Sequence, residues 1–138
     1  MQGAIGIHHI GVAVADLDAA AARYAQLVGA RVDHRAESEE LGTRALALRT
    51  PEGPMVELVA PLHDDTPVGR FLAKRGEGMH HIAYEVADVD AEVARLVADG
   101  VEMVDERPRP GLFGLQVAFI HPDAAMGVLL ELVQPGGH

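Results

Sequence analysis

His80-His81-Ile82-Ala83-Tyr84-Glu85-Val86-Ala87-Asp88-Val89-Asp90-Ala91 repeats, seventy-two residues downstream, the stretch His8-His9-Ile10-Gly11-Val12-Ala13-Val14-Ala15-Asp16-Leu17-Asp18-Ala19. A second pair echoes the first: Val56-Glu57-Leu58-Val59 and Leu130-Glu131-Leu132-Val133. Two His and two Glu thus recur in register. A duplicated half that supplies one imidazole and one carboxylate per copy can build a four-ligand metal site where the copies meet.

Outward from the His motifs, each copy predicts the same order of elements. Residues 7–14 are β-branched and apolar, as a strand requires. Alternation places Gly11 and Ala13 on the His9 face and Ala83 on the His81 face, so each His stands beside small residues, as on the floor of a cleft. Asp16 then predicts a helix N-cap, with Leu17, Ala20, Ala21, Tyr24 and Leu27 or Val28 as the apolar stripe and Gly29 as terminator. In the second copy Asp88 caps, Val89, Val93, Leu96 and Val97 form the stripe, and Gly100 ends it, so the helices are expected to match in cap, length and terminator. Three strands follow each helix: residues 31–37, 43–49 and 54–60, then 101–106, 115–121 and 128–134. They are separated by Gly42, Pro51-Glu52-Gly53, Gly111 to Gly114, and Pro122-Asp123. Thr66-Pro67 opens a short linker helix to about residue 76 by the N-cap and N1 rule.

The fold class expected is α+β, two paired βαβββ modules within one domain spanning residues 1–138. Module 1 covers about 5–61, the linker helix about 66–76 and module 2 about 78–135. Neither module alone would bury its sheet well, which is why they are expected to pair.

Composition narrows the function classes. The chain has no Cys, so disulfides, thiolate ligands and thiol nucleophiles are excluded together. Its formal net charge is −10 with no basic block, which argues against nucleic acid, a ligand that clustered Lys and Arg must neutralise. Aromatic residues make up 4% and Trp is absent, against a stacking platform for bases or sugars. No apolar run reaches membrane length and no signal peptide is evident, so no membrane partner is expected and the cytoplasm is the expected location.

His9 and His81 each have a bland reading as structural strand residues, and duplication alone could copy a structural residue. Glu57 and Glu131 carry more weight. Each sits inside an apolar strand, where a carboxylate is costly unless paired or metal-bound. The alternative is an edge strand with its polar face in water. Taken together, the four residues predict one divalent ion of borderline type: Co²⁺, Ni²⁺, Mn²⁺, Fe²⁺ or Zn²⁺. Four protein ligands on an octahedral ion leave two positions for a chelating oxygen pair. His8 and His80, on the opposite strand face, read as structural residues or as supports for the ligands. His34, His63 and His138 read as surface residues.

With these residues in view, the chain resembles the vicinal oxygen chelate superfamily, whose paired βαβββ modules form a curled mixed sheet around a metal cleft. It is more closely similar to the methylmalonyl-CoA epimerase family over nearly its whole length. The segments that carry this are His9 to Val14, Val56 to Leu62, Thr66 to Val86, Glu106 to Arg109, Phe119 to Pro122 and Gly127 to Leu132. The resemblance implies that His9, Glu57, His81 and Glu131 are the ligands and that the ion is often cobalt. It implies too that Glu131 moves a proton at C2 of an acyl-CoA substrate, interconverting (2R)- and (2S)-methylmalonyl-CoA in a homodimer. Some family members carry Gln at the position of Glu57. Some carry a second Glu at the position of Ala45, and many carry Lys at that of Asp123. Methyl cannot move a proton; the candidate substitutes are Glu57 as an unbound carboxylate and Glu39 or Glu40 in the preceding loop, against the bland reading of solvated loop residues.

Arg70, Lys74 and Arg75 on the linker helix are candidate contacts to CoA phosphates, against the bland reading of a solvated helix face. Arg107 and Arg109 precede the glycine-bracketed loop Gly111-Leu112-Phe113-Gly114, which either closes over the acyl group or simply connects strands. Two other functions compete. One is another metal-dependent enzyme of the superfamily, either glyoxalase I-like or an epimerase of a different 2-substituted malonyl-CoA. The other is a metal-free binding module of the bleomycin-resistance type.

Overall fold

The computed structural model describes residues 3–136, which fall into two compact units: residues 9–80, and residues 3–8 with 81–136. His138 lies outside the described residues. Among those described, no helix is long and apolar enough to cross a membrane.

The first unit holds most of β1 (Ala4–Ala13), then α1 (Leu17–Val28), β2 (Arg31–Ser38), β3 (Thr43–Arg49), β4 (Met55–Pro61) and α2 (Pro67–Arg75). Strand order is β2-β3-β4-β1, with β1 parallel to β4 and the other pairs antiparallel. Both faces of β3 and β4 are buried, which is why these strands read as nearly continuous apolar runs. On one face Leu46, Leu48 and Leu58 pack with Val14 against Leu17, Ala20, Ala21 and Tyr24 of α1. On the other lie His9, Gly11, Ala13, Ala45, Ala47, Glu57 and Val59, all buried.

Local chemistry sets the helix limits. The Asp16 carboxylate accepts the Ala19 N–H at 3.0 Å, and Gly29, at φ 70°, closes α1. Thr66 caps α2 through the Gly69 N–H at 2.9 Å. A Cβ on Gly42, at φ +68°, would stand 2.6 Å from Thr66 Cγ2, so the turn before β3 packs directly on that cap. The expected α1 stripe stops short, because Leu27 and Val28 are exposed.

The second unit contains β5 (Gly78–Val86) from His81 onward, α3 (Val89–Ala98), β6 (Arg109–Pro110), β7 (Gln116–Ile120) and β8 (Leu130–Gln134). The order is β5-β8-β7-β6, with β5 parallel to β8, which reproduces the first unit's pattern. Val89, Val93 and Leu96 of α3 pack on Val86, Ala118, Ile120 and Leu132. Val97 is exposed, off that stripe. The Asp88 cap is made as expected, but Asp99 is the C-cap and α3 has 10 residues to the 12 of α1, so the helices match in start rather than in length or end.

Each unit is thus a βαβββ module of α+β class. One expected strand is absent. Residues 101–106 make a single bridge, Met103 to Ile120, and the short β6 takes the outer place at residues 109–110. The cause is visible at Asp105. Its carboxylate accepts the Phe119 N–H at 2.9 Å, a donor that a continuing ladder would use, while Val104 and Asp105 N–H both turn to the Phe119 carbonyl.

Candidate metal centre

In the first unit, β1 and β4 run parallel with Gly11 in register with Glu57, and antiparallel β3 sets Ala47 on the other side of Glu57. Small neighbours leave the carboxylate room on the His9 face. His9 Nε2 lies 3.5 Å from Glu57 Oε2, and both residues are buried. Burial pushes the His9 imidazole below its usual pKa, and Glu57 pulls it partly back. A buried neutral imidazole is the form that donates to a metal.

The second unit repeats the arrangement. Ala83 of β5 is in register with Glu131 of β8, and Phe119 of β7 flanks Glu131 on the other side. His81 Nε2 lies 3.3 Å from Glu131 Oε1, both residues are buried, and the Phe119 ring meets His81 edge-on with centroids 6.0 Å apart. Burial pushes the Glu131 carboxyl up to about 8; the Arg109 charge opposes this and Asp105 adds to it. A carboxyl so costly to ionise is one that a cation would stabilise.

The separations fit shared coordination. Nitrogen and oxygen ligands sit about 2.0–2.2 Å from a divalent ion such as zinc, so two on adjacent positions lie roughly 3 to 3.5 Å apart. The two His–Glu pairs have that spacing, with donor types that suit a borderline cation.

Ala45 is buried on the Glu57 face, two residues along β3 from Ala47. Glu39 and Glu40 are exposed in the turn before β3. His80 packs edge-on against Phe71 at 4.9 Å, and burial lowers its pKa to about 4, as a structural His should behave. His34 and His63 are exposed, as expected. Arg70, Lys74 and Arg75 lie on the exposed face of α2; Arg70 pairs with Asp65 at 3.0 Å, and Arg75 sits over the Phe71 ring. Asp123 lies in the first turn of a short 3-10 helix capped by His121, whose Nδ1 accepts the Asp123 N–H at 3.0 Å. The loop after Arg109 forms a tight 3-10 turn at Leu112–Gly114, with Phe113 in the left-handed region at φ 58°.

Two acidic residues of low exposure escaped the sequence reading, one of them beside the site. Asp105 is nearly buried and lies 3.3 Å from Arg109 Nε. The signal was present in the spacing of an acid and a base four residues apart, but a strand expected over 101–106 hid it. Glu92 is buried too, held by Arg95 at 2.8 Å and by the Gly3 N–H at 3.0 Å.

A family model described as the Glyoxalase/Bleomycin resistance protein/Dioxygenase superfamily matches residues 8–119. The ethylmalonyl-CoA/methylmalonyl-CoA epimerase of Cereibacter sphaeroides is 36% identical over 130 residues, covering 93% of this chain and 96% of that protein. The mitochondrial methylmalonyl-CoA epimerase of Homo sapiens is 36% identical over 129 residues, 93% of this chain and 73% of that protein. A variant of the Streptomyces coelicolor methylmalonyl-CoA epimerase, solved in complex with 2-nitronate-propionyl-CoA, is 38% identical with a TM-score of 0.93, covering 98% of this chain and 100% of that one. On the strength of its duplicated modules and these likenesses, the chain belongs to the methylmalonyl-CoA epimerase family of the glyoxalase/bleomycin resistance protein/dioxygenase superfamily.

Proposed function

We propose that this protein is an isomerase that interconverts the (2R) and (2S) epimers of methylmalonyl-CoA, with one divalent ion held by His9, Glu57, His81 and Glu131. The observation that carries the reading is the repeated buried His–Glu pair, spaced in each unit as two ligands of one ion are. The relatives' names supply the substrate. The reading requires the two units to act as one domain, so that all four side chains meet at a single cation.

An ion held there supplies Lewis-acid stabilisation to the negative charge that develops on the thioester oxygen. Glu131 takes the C2 proton. The C–H bond breaks, an O–H bond forms on the carboxylate, and the electron pair moves into the thioester as an enolate. Return of a proton to the opposite face of C2 gives the other epimer. Ala45 cannot deliver it, and Glu39 and Glu40 sit on an exposed turn. Glu57, a carboxylate on the Ala45 face, is the group we assign to that step. Arg70, Lys74 and Arg75 are the cations we assign to the CoA phosphates. Cobalt as the ion and a homodimer as the assembly rest on the family resemblance; a cytoplasmic location rests on composition.

Incubation of the metal-loaded protein with (2R)-methylmalonyl-CoA in D₂O tests the reading. Deuterium at C2 and a shifting epimer ratio are expected; neither change would reject it. Ala45 favours a second reading, a glyoxalase I-like isomerase, for which turnover of the hemithioacetal of methylglyoxal and glutathione is the assay.

A further inference from the structure

Arg109 of β6 is in register with Val117 of β7, and Val117 with Val133 of β8, two residues from Glu131. Register partners and alternate residues share a sheet face, so Arg109 stands on the Glu131 face of the second unit. The Arg109 charge reaches the Glu131 carboxyl, where it opposes the effect of burial. Register places His81, Ala83, Glu85, Phe119, Val117 and Val133 on the same face. Among these described residues Arg109 is the one side chain with a permanent positive charge.

Its orientation is set from below. Asp105 Oδ1 lies 3.3 Å from Arg109 Nε, and Asp105 Oδ2 accepts the Phe119 N–H at 2.9 Å. Phe119 is itself the register partner of Glu131. The Nε is buried and not aligned for a hydrogen bond, so Asp105 holds the guanidinium by charge at its inner end. Among the described residues, no hydrogen bond or further ion pair engages the two amino groups at the outer end. The side chain is 34% exposed. A planar fork, partly desolvated and held at one end, matches the two oxygens of a carboxylate.

We propose that Arg109, oriented by Asp105, anchors the free carboxylate of a 2-substituted malonyl-CoA and thereby separates such substrates from acyl-CoA thioesters that lack it. This deepens the epimerase reading and rests on it for the substrate class. Arg109 touches the substrate, whereas Asp105 is a positioning residue that acts through it. The face otherwise offers an anionic substrate two carboxylates, Glu131 and Glu85, and no compensating charge of the protein's own. If Arg109 served only as a structural partner of Asp105, its loss would affect all thioesters alike.

The test is calorimetric binding of malonyl-CoA and propionyl-CoA to the metal-loaded protein, comparing wild type with Arg109→Gln, Arg109→Lys and Asp105→Asn. Arg109→Gln is expected to weaken malonyl-CoA about ten- to a hundredfold, as loss of charge-assisted hydrogen bonds does, and to leave propionyl-CoA within about twofold. Asp105→Asn is expected to give the same selectivity loss at smaller size. Should Arg109→Gln fail to fold, Arg109→Lys keeps the charge without the fork, and a loss of several-fold for malonyl-CoA alone is expected. Equal weakening of both thioesters, or unchanged malonyl-CoA binding, overturns the anchor. Wild-type epimerisation separates the two ideas. An inactive wild type with Arg109-dependent malonyl-CoA binding rejects the epimerase reading alone. An active one whose Arg109→Gln variant keeps its KM rejects the anchor alone.

Discussion

His9 Nε2 stands 3.5 Å from Glu57 Oε2, and both residues are buried. His81 and Glu131 repeat the relation at 3.3 Å in the other unit. A cation would stabilise buried carboxylates placed so close to imidazoles. Chelator treatment is therefore expected to lower Tm, and added Co²⁺ to restore it. At a hundred times Kd, ligand linkage is worth about 2.7 kcal/mol. Glu131→Ala is expected to lose both the ion and the activity; tightly bound metal persisting in that variant, read by elemental analysis, would show that the centre is misplaced. Absence of any metal in protein purified without chelator would favour the binding-module alternative.

Glu57 and Ala45 test the second proton transfer. Glu57→Gln keeps an oxygen ligand but cannot carry a proton. It is expected to retain the ion and to lose about a hundredfold or more in kcat, the usual worth of a general acid or base. In this chain Ala45→Glu places a carboxylate on the same face, and the double variant is expected to regain part of that loss. Full activity in Glu57→Gln alone would remove Glu57 from the mechanism.

Glu92 links pH to stability. The Arg95 guanidinium, and secondly the Gly3 N–H, hold its carboxyl below the usual carboxylate value. A depressed folded-state pKa contributes stability that is fully present above the unfolded value of 4.5 and fades as pH falls through the folded one. Wild type and Glu92→Gln should therefore differ by a constant amount in urea midpoint above pH 4.5, and converge as the solution is acidified. A gap that widens in acid would contradict the assignment.

Leu58 is fully buried between α1 and the neighbouring strands. Leu58→Ala is expected to cost about 2–5 kcal/mol, the range for a large-to-small change in a packed core. Equilibrium urea unfolding measures it.

The repeat made the fold legible because both modules solve one packing problem with the same local signals. Asp16 and Asp88 cap helices where the sequence predicts them, and β3 occupies residues 43–49 as expected. Glu57 and Glu131 stood out for a different reason: a carboxylate in an apolar run must have a cause, and each is buried beside a His. What the sequence concealed was competition for hydrogen bonds. Residues 101–106 have strand composition, yet the Asp105 side chain takes a ladder donor and leaves one bridge. Leu27, Val28 and Val97 continue an apolar period but are exposed, because composition alone does not say which helical residues meet the sheet. Arg109 was visible as a charge but not as a member of the Glu131 face, because its strand is two residues long and register alone assigns it there.

That two-residue strand has a consequence for how the molecule behaves in a crowded solution. The outermost strand of a sheet is a template on which a second polypeptide can add and begin an aggregate. β6 offers almost nothing to copy, and Pro110 contributes no N–H to it. At the far side of the first unit's sheet, β2 is eight residues long, but Arg31, Asp33, Arg35 and Glu37 line it and its register slips between Val32 and His34. Both flanks are thereby made poor seeds for intermolecular growth, which fits a protein whose buried strands, once exposed, would be among the stickiest in the chain.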